Sequence, residues 1–222
     1  MSYLEFLNVL QPFVDKDFAA FQRRLISTPR KILGVRTPIL RRLAKGYNGD
    51  LYQLFAYPNE YYETVFIKLT VVSRLPYNQF IVWLPKCVEL IDNWALCDSF
   101  KCNAVKKHLP EFLPILDKLF SDGQEFYQRY ALVMLLYYYV DESYLPTIKE
   151  FILRANTKYY YVYMAIAWLT AEVLIKYYDE GLLLLKALKN DVKTHNKAIQ
   201  KALESFRLTK EQKGYLRSLK IK

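Results

Sequence analysis

Apolar residues recur three and four positions apart along most of the chain. Examples are Tyr62, Val65, Phe66, Leu69 and Val72; Phe112, Ile115, Leu116 and Leu119; and Ala198, Ile199, Ala202, Leu203 and Phe206. That spacing gathers them on one face of a helix turning every 3.6 residues. No segment alternates with the period of two that a half-buried strand requires. Prolines punctuate the pattern: Thr37-Pro38 predicts an N-cap followed by proline at the first helical position, and Pro12, Pro58, Pro76, Pro110 and Pro146 mark other boundaries. The chain therefore predicts helices over 3–13, 17–26, 38–45, 50–56, 60–75, 78–92, 94–106, 111–120, 124–140, 144–154, 158–178, 181–189, 193–205 and 209–219.

Paired from residue 50 onward, these segments repeat at roughly 30 to 40 residues, near the period of HEAT and armadillo arrays, although residue-level self-similarity is poor. The expectation is an all-α fold: a right-handed α-solenoid of degenerate HEAT/armadillo-like helix pairs. It forms a single domain over 1–222, with one helix of each pair on a concave basic inner face able to cradle a cylinder.

Composition changes the picture in two places. Only 6 Gly and 9 Pro among 222 residues, with 53% hydrophobic content, leave no tract that reads as a flexible linker. A net charge of +10 predicts attraction to a polyanion, and charge alone does not choose between nucleic acid and an acidic membrane. Uncharged runs such as Tyr130 to Val140 fall short of the roughly 20 apolar residues of a membrane span, so no membrane partner is expected. The stretch Met1 to Asp17 lacks a basic start and a small-residue cleavage site, which predicts no export signal.

Three cysteines, Cys87, Cys97 and Cys102, with no Cys-x-x-Cys pair, predict reduced, mostly buried thiols in a cytoplasmic protein. His108 and His195 are far apart without visible ligand partners, and there is no glycine-rich phosphate loop or nucleophile elbow. No metal and no cofactor are expected.

Several segments together carry a family resemblance. They are Ile32-Leu-Gly-Val-Arg-Thr-Pro-Ile-Leu-Arg-Arg-Leu-Ala-Lys45, Ile91-Asp-Asn-Trp-Ala-Leu-Cys-Asp-Ser-Phe100, Phe126-Tyr-Gln-Arg-Tyr-Ala-Leu-Val-Met-Leu135, Tyr160-Tyr-Val-Tyr-Met-Ala-Ile-Ala-Trp168, Asn196-Lys-Ala-Ile-Gln-Lys201 and Glu204-Ser-Phe-Arg207. In this order and at these separations the chain resembles the AlkD-like HEAT-repeat DNA glycosylases, which remove N3- and N7-alkylated purines from duplex DNA. The resemblance implies a site made of a Trp, an Asp four residues on, an Arg and a second Trp. Trp94, Asp98, Arg129 and Trp168 fill those positions.

Residues four apart share a helix face, so Trp94 and Asp98 can address one ligand. The resemblance implies that Asp98 stabilises the oxocarbenium-like sugar formed as a cationic alkylpurine departs. Trp94 and Trp168 would line that sugar, and Arg129 would hold a backbone phosphate. The base leaves without being flipped into a pocket, unlike the usual glycosylase strategy. Active members often carry an Arg where this chain has Ala171, and a basic residue in the stretch that reads Tyr161-Val-Tyr-Met164 here. Their minor-groove helix has no clear equivalent in the segment 17–26, which is followed by Ser27-Thr-Pro-Arg-Lys31.

Two other readings stay open: a catalytically silent paralogue with weak DNA binding, and a helical-repeat scaffold that binds protein. The adjacent tyrosines Tyr137 to Tyr139 and Tyr159 to Tyr161 cannot all share one helix face, so most are expected to pack. A monomer is expected, since the inner surface must stay open.

Overall fold

The apolar spacing resolves into fourteen α-helices and three 3-10 turns in the computed structural model, which describes residues 1–222. The one extended feature is an isolated parallel bridge between Lys31 and Tyr61. Contacts gather into two compact units, Met1–Lys107 and His108–Lys222.

The first unit holds α1 (Tyr3–Leu10), α2 (Lys16–Leu25), α3 (Thr37–Gly46), α4 (Leu51–Ala56), α5 (Tyr62–Val72), α6 (Tyr77–Glu89) and α7 (Trp94–Ser99). Helix α5 is its axis: every residue from Tyr62 to Leu69 is buried, and α3, α6 and α7 pack on it. Two of those buried residues are charged. Glu63 accepts backbone N–H bonds from Gly34 at 2.8 Å, Leu33 at 3.0 Å and Val35 at 3.3 Å, which offsets the cost of taking a carboxylate out of water. Gly34 makes this turn possible with φ at +86°, where a β-carbon would lie 2.0 Å from the Asp15 carbonyl oxygen. Lys68 donates to the carbonyls of Tyr57 at 2.6 Å and Phe55 at 3.3 Å and to Asn59 Oδ1 at 2.7 Å, so a cation closes the C-terminal end of α4.

Three local expectations are corrected here. Arg36, not Thr37, is the N-cap of α3, which puts Pro38 at the second helical position. The segment 94–106 is not one helix: α7 ends at Ser99, Phe100 and Cys102 turn inward, and a 3-10 turn follows over Asn103–Lys107. The segment 3–13 likewise ends as a 3-10 turn, Gln11–Phe13, containing Pro12. Pro85 and Pro114 lie inside α6 and α8 on exposed faces.

The second unit holds α8 (Leu109–Ser121), α9 (Glu125–Tyr138), α10 (Leu145–Arg154), α11 (Tyr160–Lys176), α12 (Tyr178–Ala187), α13 (Val192–Leu203) and α14 (Lys210–Ser218). Alternate helices run in the same direction. At one end of α9, Glu125 accepts the Tyr161 N–H of α11 at 2.8 Å, and at the other end Tyr137 meets the Trp168 ring edge-on at 6.0 Å. Lys193 of α13 lies 3.9 Å from the Tyr163 ring centre, and Arg207, just past α13, pairs with Glu172 farther along α11. The C-terminal ends of α8 and α10 meet through Phe120 and Phe151 at 4.9 Å and through Asp117 and Arg154 at 2.9 Å.

Gly181 of α12 sits so close to α11 that a β-carbon would lie 2.5 Å from the Leu174 Cα. Helices α9, α11 and α13 thus pack side by side with their N-terminal ends together. Helices α9 and α11 are apolar on nearly all sides because both their faces are covered.

Candidate active site

Helix α7 presents two of the four expected residues. Its N-cap, Asn93, is fully buried, accepts the Leu96 N–H at 3.0 Å and donates to Asp92 Oδ1 at 2.7 Å. Trp94 follows as the first helical residue, 37% exposed, with its indole N–H donated to the carbonyl of Leu25 at 3.0 Å. A fixed indole that still offers a face to solvent is unusual for a packing residue. Asp98 lies one turn on along the same side of α7, half-buried. The burial of Lys101 and its neighbours Arg41 and Lys106 push the Lys101 amine below its ordinary range, while Asp98 opposes them. The carboxylate therefore sits at a cationic edge of this unit.

The loop after α2 is fastened to the start of α7. Asp92 Oδ2 pairs with the Arg30 guanidinium at 2.5 Å and accepts the Thr28 hydroxyl at 2.7 Å. Arg30 also donates through Nε to the Asn59 carbonyl at 3.1 Å. With the Trp94–Leu25 bond, these contacts hold the C-terminal end of α2 beside Trp94. Phe21 and Leu25 of α2 remain about half exposed there, so α2 offers a solvent-facing apolar edge. The sequence Thr28-Pro-Arg30 gave no sign of this clamp, because its partner lies more than sixty positions away.

The other two residues stand on neighbouring helices of the second unit. Arg129 of α9 is only 6% exposed and donates to the Tyr161 carbonyl at 2.8 Å, with its guanidinium 5.7 Å from the Tyr161 ring. Trp168 of α11 is half-buried and lies seven residues beyond Tyr161, about 10 Å along the helix. The structure therefore brings Trp94 and Asp98 onto one face, whereas Arg129 and Trp168 occupy different heights.

Position 171 does not face solvent: Ala171 is buried with Leu174, Ala198, Ile199 and Ala202. The solvent-reaching continuation of the Trp168 face is the half-buried Glu172, and it holds a cation that the sequence reading missed. Arg207 donates to both Glu172 oxygens, at 2.9 and 2.8 Å. The stretch Tyr161–Met164 likewise receives its cation from α13, through Lys193 over Tyr163. The tyrosines divide as follows: Tyr139 is buried with its hydroxyl on the Leu109 carbonyl at 2.8 Å, whereas Tyr159 and Tyr160 are exposed.

No three His, Cys, Asp or Glu side chains converge in a way that could hold a metal, and Cys87, Cys97 and Cys102 are buried and form no disulfide. No helix is long and apolar enough to cross a membrane. A family model described as DNA alkylation repair enzyme matches residues 6–206. No curated protein and no solved structure matches the chain.

Proposed function

Because the chain belongs to the DNA alkylation repair enzyme family, we propose that it is a glycosylase that hydrolyses the N-glycosidic bond of cationic N3- and N7-alkylpurines in duplex DNA. The observation that carries this reading is the pairing on α7 of an anchored, solvent-facing Trp94 with Asp98 one turn away. An alkylated purine already bears positive charge and departs without a general acid. The barrier lies in the sugar, which becomes cationic as the bond stretches. A carboxylate fixed on a short, capped helix stabilises that charge without reorganising, and it orients the attacking water. The indole face of Trp94 lines the sugar beside Asp98 and contributes about 0.5 to 2 kcal/mol as a cation–π contact. Arg129 holds a phosphate by charge-assisted hydrogen bonds. The side-by-side packing of α9, α11 and α13 supports reading the chain as an α-solenoid of HEAT-like pairs.

A second reading is favoured by one specific observation. Arg129 is buried against the Tyr161 carbonyl and Ala171 lies in the core, which leaves the second unit short of two phosphate contacts that active members use. On that reading the chain is a silent paralogue that binds DNA weakly. Release of 7-methylguanine and 3-methyladenine from methylated duplex, measured with protein in excess at low salt, separates the two. Release supports the glycosylase; saturated binding without release supports the silent paralogue.

A further inference from the structure

Phe206 is 100% exposed, which sets it apart from every other large apolar residue of the chain. It does not sit on a loose end. Ser205 Oγ accepts the Arg207 N–H at 3.2 Å, Leu208 is buried in the core with Leu216 and Ala202, and Thr209 opens α14 with a reciprocal cap to Gln212. The backbone on both sides is anchored, so the ring is held out in water by an ordered turn between α13 and α14. Exposing a Phe forgoes the stabilisation its burial would bring, which points to a ligand that covers it.

Its neighbour identifies the kind of ligand. Arg207 forks onto Glu172, one turn beyond Trp168 on α11, and keeps 60% of its side chain exposed. An ion pair this open contributes little, so an incoming phosphate can replace the carboxylate as the partner of the same fork. A projecting aromatic ring next to an available guanidinium fits a nucleobase beside its own phosphate.

Resting on the reading of DNA as the partner, we propose that the Phe206–Arg207 turn is a second DNA contact. Phe206 stacks on a base displaced from the helix stack, and Arg207 exchanges Glu172 for a phosphate. The turn thereby favours duplexes with a disturbed step over fully stacked ones.

The test is equilibrium binding of the full chain to two short labelled duplexes, one fully paired and one with a single bulged nucleotide, over a range of salt. Phe206→Ala is expected to weaken binding to the bulged duplex by roughly 10-fold and to the paired duplex far less. Arg207→Ala is expected to lower the slope of log affinity against log salt by about 0.9, one phosphate's worth. Glu172→Gln is expected to tighten binding, and that gain disappears in the Arg207→Ala background. Phe206 and Arg207 are exposed and Glu172 is half-buried, and unchanged thermal unfolding shows that all three variants are folded.

Variants that match the wild type in affinity, slope and duplex preference overturn the proposal and leave the DNA reading intact. A wild type that binds neither duplex at low salt overturns both.

Discussion

Lys68 has no exposed surface, yet three oxygens meet its amine. Burial, together with the nearby Arg30, pushes this amine down to about 8. In the unfolded chain it titrates at its ordinary value of 10.5. Between the two values the unfolded chain holds more protons, so this group makes stability rise with pH across that window. Urea unfolding at about pH 8 and about pH 10 is expected to show the wild type gaining stability relative to Lys68→Met, which has no such group to titrate. A difference that stays constant with pH contradicts the account.

Lys68 also shows what was hidden at this scale. The apolar set Tyr62, Val65, Phe66, Leu69 and Val72 reads as one face of an amphipathic helix, which assigns Glu63 and Lys68 to solvent. Neighbours on every side cover α5 instead, and the partners of both charges are backbone groups, which leave no trace in residue identity. The shared face of Trp94 and Asp98 was legible because a four-residue spacing on a helix is local, whereas a role for them was implied only by the family resemblance.

At the scale of elements, the fastening of the α2–α3 loop to α7 matters most. Asp92 gathers Arg30, Thr28 and Asn93 around one carboxylate at the point where Trp94 begins its helix. Asp92→Ala strands a guanidinium whose side chain is only 13% exposed, at a cost of about 2 kcal/mol. Denaturant unfolding should show a lower midpoint with an unchanged slope. The same change frees the anchor of Trp94, so alkylpurine release should fall by more than the loss of folded protein explains. Equal loss of both makes the clamp purely structural.

Helix existence was readable throughout from periodicity. The break after Ser99 was not, because Leu96, Cys97, Phe100 and Ala104 keep a helical apolar spacing while the chain in fact turns. Boundaries fixed by long-range packing cannot be seen in a local pattern.

At the scale of the whole molecule, the +10 charge is the property the sequence states most directly and locates least. Part of the cationic surface is committed inside the protein: Arg30 to Asp92, Lys68 to carbonyls, Arg129 to Tyr161. Part stays outward, as at Arg41, Lys101 and Lys106. Duplex binding is expected to weaken steeply with salt, because each phosphate neutralised releases counterions. Affinity for a protein partner that is independent of salt, with no duplex binding, would instead favour a protein-binding helical-repeat module.

The claim that ties these scales together is that Asp98 stabilises the departing base's sugar. Single-turnover release of 7-methylguanine from methylated duplex, wild type against Asp98→Asn, tests it most directly. The account predicts release by the wild type and a loss of at least about 100-fold in the variant, with duplex binding and thermal unfolding retained. A variant that releases the base as fast as the wild type contradicts it.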